Sequence, residues 1–258
     1  DTPTSLLEAS VIQWQWKEDV FPECDQFNGI HEGLVQSWKD IFPKKGEIHF
    51  AGALENNEDT GTLQYLASTA MEAGFSTRVL DMQALDLQNG RFFDPAGELV
   101  NRCFKLYPWE WMVDESPDGC LAEMEWLEPI WKLVMSNKAI LATLYELFPD
   151  SPYVLPCYLS RPRSGLFCKK PVFSREGHNV SVVDIRDWEE YVRIAETEGD
   201  YNTGAYVYQE YVEPTAYSGR YPVIGSWIIG GEAAGIGIRE NRMEVTDNLS
   251  EFVPHIIG

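Results

Sequence analysis

Glu47-Ile48-His49-Phe50-Ala51-Gly52-Ala53-Leu54, the run from Asp59 to Gly74, and Thr77-Arg78-Val79-Leu80 together decide how this chain folds. Ile48 and Phe50 alternate with their neighbours at the period of a strand. From Asp59 onward, Leu63, Leu66, Ala70 and Met71 share one helical face, and Gly74 suits the left-handed residue that closes a helix. Apolar and β-branched residues resume at Thr77 to Leu80. Strand, helix and strand over this length predict a βαβ unit, because parallel neighbours need a crossover connection between them.

Working outward, Ser5 and Glu8 have capping-box spacing, and Leu7, Val11 and Trp14 repeat at helical intervals behind them. A second helix is predicted along Phe27, Ile30, Leu34, Trp38 and Ile41, with Pro43 ending it. Gln88-Asn89-Gly90-Arg91 signals a tight hairpin. Trp126 to Leu147 has helical spacings with a start near Pro129. Beyond Pro149, Pro152 and Pro156 come strand-like runs, Leu166 to Phe173, Val180 to Ile185, Ala205 to Val212, Val223 to Ile229 and Ala233 to Ile238, the last two joined by a Gly230-Gly231 turn. One helix is expected among them, Asp187 to Thr197, with Trp188, Tyr191, Val192 and Ala195 on its inner side. The second half thus reads as a mainly antiparallel α+β unit. Trp14, Trp38 and Trp188 fall on the core faces of these helices.

Composition narrows the function classes. The 258 residues carry 20 Lys+Arg against 41 Asp+Glu, a net charge of −21. Such a charge repels phosphate backbones and anionic lipid surfaces, which disfavours nucleic-acid and membrane partners and favours a cationic one. With 44% hydrophobic residues the chain can build a core. No apolar run approaches the ~18 residues of a spanning helix, and Asp1-Thr2-Pro3-Thr4-Ser5 lacks the layout of a signal peptide. Five cysteines at irregular spacing, Cys24, Cys103, Cys120, Cys157 and Cys168, support neither a disulfide framework nor a zinc knuckle. A reducing cytoplasm is the expected compartment.

The segment Lys169-Lys170-Pro171-Val172-Phe173-Ser174-Arg175-Glu176-Gly177-His178-Asn179-Val180 carries two cations to a strand end and then a loop with Ser, Arg and Gly. Such a loop can bring amides, a hydroxyl and a guanidinium onto phosphate oxygens, and the same pattern also fits an ordinary polar hairpin. There is no G-x-x-x-x-G-K-[ST], and Gly235-Ile236-Gly237-Ile238-Arg239-Glu240 lacks the third glycine of a dinucleotide fingerprint. Arg239 ends an apolar strand, where its fork of donors suits either a phosphoryl group or a surface ion pair. His31, His49, His178 and His255 have no metal-ligand spacing and read as structural.

Several blocks together resemble a known family. Asp1-Thr2-Pro3-Thr4-Ser5-Leu6-Leu7-Glu8, Lys105-Leu106-Tyr107-Pro108-Trp109-Glu110, Trp126-Leu127-Glu128-Pro129, Ser136-Asn137-Lys138, Lys170 to Gly177, Gly225-Ser226-Trp227 and Gly235 to Glu240 resemble, in order, the synthetase domain of the glutathionylspermidine synthases. The resemblance implies an α+β chain with an ATP-grasp fold preceded by a Rossmann-like βαβ region. It places a pre-ATP-grasp, substrate-binding region over residues 1–125 and the ATP-grasp region over 126–258. In that family ATP phosphorylates the glycine carboxylate of glutathione, and an amine of spermidine attacks the acyl phosphate, with Mg²⁺ and cations offsetting the charge.

Carried over by that resemblance, Lys138 and Lys170 correspond to two ATP-phosphate lysines, and Ser174, Arg175 and Gly177 to the loop that closes over the phosphates. Gln209, Glu210, Tyr211 and Val212 resemble the hinge beside adenine, and Glu244, Val245 and Thr246 a second nucleotide edge. Arg239 matches the catalytic arginine near the transferred phosphoryl group. Thr2, Thr4, Glu58 and Asp59 fall where thiol peptide and polyamine bind. The family's Mg²⁺ ligands precede the block that begins at Asp1, so no metal ligand is assigned in this chain. The sequence matches the larger, carboxy-terminal part of such a synthetase and has no Cys/His amidase region; alone it is expected to bind nucleotide without turnover. The same chemistry on another acid and amine, or a non-catalytic nucleotide-binding relative, are the alternative readings.

Overall fold

The computed structural model describes residues 5–187, 190–201, 204–244 and 250–258. These form two compact units, one of Asp1–Lys132, Ile224–Ile238 and Phe252–Gly258, the other of Leu133–Val223 and Arg239–Glu251.

In the first unit a π-helical turn, Glu8–Ile12, leads into α1 (Gln13–Val20), and α2 (Ile30–Ile41) follows. The π turn inserts an extra residue into the helical phase, so the expected stripe slips. Leu6, Ala9, Ser10 and Gln13 are buried, while Trp14 is 51% exposed instead of facing the core. Ser5 is no N-cap either, since its φ of 57° is left-handed where a capping residue is extended. On α2, Ile30 and Trp38 are buried and Leu34 is partly buried, as the pattern requires, while Val35 and Phe42 join the core in place of the exposed Phe27 and Ile41.

The βαβ unit is present. β1 (Glu47–Gly52) and β2 (Ser76–Asp81) pair in parallel, Glu47 opposite Ser76 through Gly52 opposite Asp81, with α3 (Asn57–Glu72) between them. Ile48, His49, Phe50 and Ala51 are all buried, because a parallel sheet is covered on both faces. α3 starts two residues before Asp59: the Asn56 side chain accepts the Glu58 N–H at 2.9 Å. At its other end Phe75 N–H reaches the Ala70 carbonyl at 3.0 Å and Gly74 N–H that of Met71 at 2.8 Å, a closure that needs the Gly74 φ of 93°. Leu63, Leu66, Ala67 and Ala70 form the buried stripe, and Met71, expected on it, is exposed.

β3 (Asp86–Gln88), β4 (Arg91–Phe93) and β5 (Leu99–Val100) make a small antiparallel sheet whose first turn is the expected one, with Asn89 and Gly90 both at positive φ. β6 (Arg102–Leu106) returns to the main sheet parallel to β1, and after α4 (Trp109–Glu115) and α5 (Pro117–Cys120), β7 (Glu125–Leu127) pairs parallel to β6. Trp126, expected to open a helical stretch, is therefore a buried strand residue, packed edge-on against Phe92 and Trp109. The strand order is β2-β1-β6-β7. The chain leaves β1 toward one edge and β6 toward the other, so the crevice beyond their carboxyl ends is the topological switch point, where open α/β sheets bind ligands.

In the second unit, helices α6 (Leu133–Ser136) and α7 (Ala139–Leu147) precede five strands. These are β8 (Cys157–Tyr158), β9 (Gly165–Pro171), β10 (Ser181–Ile185), β11 (Tyr191–Glu196) and β12 (Tyr206–Glu210). They form one antiparallel sheet in the order β11-β10-β9-β12-β8. The helix predicted over Asp187 to Thr197 is an edge strand, β11. Its Tyr, Val and Ile suit a strand, β10 supplies the backbone partners, and full exposure removes the burial that would favour a helical stripe. Trp188 lies outside the described residues. A fourth sheet, β13 (Tyr221–Ile229), β14 (Glu232–Asn241) and β15 (Glu251–Val253), most of whose residues belong to the first unit, contains the Gly230-Gly231 turn at positive φ.

Candidate nucleotide and substrate sites

In the second unit Lys170 lies near the end of β9, opposite Val207 on β12, and its Nζ donates to Gln209 Oε1 at 2.8 Å. Gln209 stands opposite both Cys157 on β8 and Cys168 on β9, so the two thiols and the amide form one row across the sheet. Burial raises both thiol pKa values, against the opposing pull of Lys170. These thiols therefore stay protonated near neutral pH, and the row offers no thiolate nucleophile.

Lys138 caps the start of α7 and reaches the segment immediately after Lys170. Its backbone N–H donates to Val172 O at 2.8 Å, and its Nζ donates to Ser174 O at 2.6 Å and Ser174 Oγ at 3.0 Å. Lys138 thus reaches the segment directly after Lys170, 32 positions away in the sequence, while Lys170 Nζ itself turns to Gln209. The loop beyond is tightly turned, with Glu176, Gly177 and Asn179 at positive φ. Thr197 Oγ1 donates to Gly177 O, and Asn179 Oδ1 accepts Tyr201 N–H at 2.7 Å. Arg175 sits half-buried within it.

Glu210, Tyr211 and Val212 carry the chain off the end of β12. Tyr211 OH donates to Glu244 Oε2 at 2.6 Å, which drives the phenol pKa upward, with burial adding to the effect. This bond joins the two segments assigned to opposite nucleotide edges. Arg239, half-buried on β14, belongs to the same unit. Val245 and Thr246, like Thr2 and Thr4, lie outside the described residues.

In the first unit Glu58 and Asp59 occupy the first turn of α3, just past β1 at the switch point. Asp81 ties the loop that follows β1 to the turn that follows β2, its Oδ2 accepting Leu54 N–H at 3.1 Å and its Oδ1 accepting Gln83 N–H at 2.8 Å. The sequence reading assigned no role to Lys105, which is 8% exposed at the end of β6. Burial lowers its pKa to about 8, while Glu128 and Glu110 pull in the other direction. A lysine inside an apolar strand, just before the Pro108-Trp109 turn, was the available signal. Beside it the Tyr107 phenol is pushed up to about 12, by burial first and then by its hydrogen bond to Glu115.

The fold is a parallel α/β unit together with an antiparallel unit in which Lys138 reaches the loop that follows Lys170. The chain belongs to the glutathionylspermidine synthase pre-ATP-grasp family, whose model matches residues 1–258. A Haemophilus influenzae protein named "Putative acid--amine ligase" is 37% identical over 99% of this chain and 68% of its own length. The trypanothione synthetase of Crithidia fasciculata is 27% identical over 98% of the chain and 43% of its own. The bifunctional glutathionylspermidine synthetase/amidase of Escherichia coli is 25% identical over 100% and 46%. The chain thus spans about two thirds of the first relative and less than half of the other two.

Proposed function

We propose that this chain carries the nucleotide and substrate sites of an ATP-dependent carboxylate–amine ligase of the glutathionylspermidine synthase type. The boundary expected between residues 125 and 126 falls inside β7, so the nucleotide region is read as the unit of Leu133–Val223 and Arg239–Glu251 and the substrate region as the unit that holds the parallel sheet. Lys138 and Lys170 hold the triphosphate, the loop with Ser174, Arg175 and Gly177 closes over it, and Gln209 to Val212 with Glu244 to Thr246 flank the base. Arg239 stabilises the transferred phosphoryl group. A peptide carboxylate oxygen attacks the γ-phosphorus and ADP leaves. The amine nitrogen then attacks the acyl carbon, phosphate leaves, and the nitrogen loses a proton. Thr2, Thr4, Glu58 and Asp59 receive the thiol peptide and the polyamine, with the two carboxylates matching a cationic amine.

The observation that carries this reading is the meeting of Lys138 with the segment Val172 to Ser174, directly after Lys170. A cation on one turned loop, with a second just before it, fits a polyphosphate. Among the described residues no group of three or more His, Cys, Asp or Glu side chains could hold a metal ion. The five free cysteines suit a reducing compartment. Among the described residues no helix is long and apolar enough to cross a membrane.

The test is ADP release by the protein expressed from its full reading frame, with glutathione and a panel of amines headed by spermidine. Amine-dependent ADP is expected, and none with any peptide and amine would remove the ligase assignment. The name of the Haemophilus relative favours a second reading, another acid and amine joined by the same chemistry, which the panel separates. Lys170→Ala should weaken ATP binding about tenfold or more by calorimetry, the loss of a charge-assisted contact. Unchanged affinity would favour a non-catalytic nucleotide-binding relative.

A further inference from the structure

We infer that Lys105 is a positioning residue that holds the segments following β6 and β7 together as one wall of the substrate crevice. This rests on the ligase reading and extends it to residues that reading leaves without a role. Lys105 Nζ donates to Tyr107 O at 2.6 Å and lies 4.0 Å from the centre of the Trp109 ring. Trp109, 5% exposed, donates its Nε1 hydrogen to the Glu128 carbonyl at 3.1 Å, and Glu128 Oε1 accepts from Lys132 Nζ at 2.8 Å. A continuous run of contacts therefore crosses from the carboxyl end of β6 to that of β7, beside the switch point where Glu58 and Asp59 stand.

Glu128 and Glu110 attract the Lys105 ammonium, while its direct hydrogen bond goes to the Tyr107 carbonyl. An apolar side chain of similar length would fill the same volume without the desolvation that a buried ammonium suffers. It could not satisfy the Tyr107 carbonyl, nor grip the indole face by charge. The charge thus serves the geometry of the wall. With its pKa lowered to about 8, the grip is present at neutral pH and weakens above it.

The test compares Lys105→Met and Lys105→Arg with the parent in the full-length protein. Lys105→Met is expected to lower kcat/KM for the amine about tenfold or more, the scale of a slightly misplaced site, while KM for ATP stays within about twofold. Amide exchange should speed up together in residues 106–112 and 126–129. Lys105→Arg should recover part of the activity and abolish the decline in rate above pH 8. The inference is overturned by a Met variant that exchanges like the parent, by equal losses for ATP and amine, or by an Arg variant no better than Met. A parent that releases no ADP with any amine removes the ligase reading, and hydrogen exchange still decides whether Lys105 ties the two segments.

Discussion

His49 sits 2% exposed in the middle of β1, opposite Arg78 on β2 and Cys103 on β6. Burial lowers its pKa, outweighing the carboxylates of Glu47 and Asp94 that raise it, and Arg78 adds to the lowering. The unfolded chain therefore takes up this proton at a higher pH than the folded one. Stability contributed by neutral His49 is present above about pH 6.5 and is lost as pH falls toward the folded value. Urea midpoints should drop on acidification from pH 7 to 5, and His49→Phe should flatten that slope; an identical slope in the variant would contradict the burial argument. The sequence marked His49 as structural, which its place inside a strand supports, but its desolvation depends on what covers both faces of the sheet. Lys105 escaped notice for the same reason.

Whole elements were legible where local signals agreed. α3 has its cap, its stripe and its closing glycine within one stretch, and the Asn89-Gly90 turn is set by two residues. β7 and β11 were misread as helical because their strand state depends on β6 and β10, partners outside any local window. The π turn at Glu8–Ile12 shifted the α1 face in the same hidden way. Gly52 shows how closely these elements approach: a Cβ there would lie 2.9 Å from Leu63 Cδ1 and 3.0 Å from the Leu106 carbonyl oxygen. Gly52→Ala should destabilise the protein by about 1–3 kcal/mol in denaturant titration, since backbone and core side chains must part. An unchanged midpoint would mean that β1 and β6 separate there freely.

At the scale of the molecule, a net charge of −21 surrounds a proposed site for a cationic amine. Long-range attraction of this kind is screened within about 8 Å at physiological salt. KM for a polyamine should therefore rise several-fold between low and high ionic strength, while that for an uncharged amine of similar length changes little; parallel behaviour of the two would argue against electrostatic capture. The sequence by itself determined the βαβ order, most of the later strands and the hairpin turns, and it supplied the cations proposed to hold a phosphate, because periodicity, caps and side-chain chemistry are properties of short stretches. Tertiary structure alone decided the β2-β1-β6-β7 order, the edge position of β11, the burial of Lys105 and the meeting of Lys138 with Ser174. Those depend on which distant segments satisfy one another's backbone groups and exclude water, and that competition is settled only when the chain closes on itself.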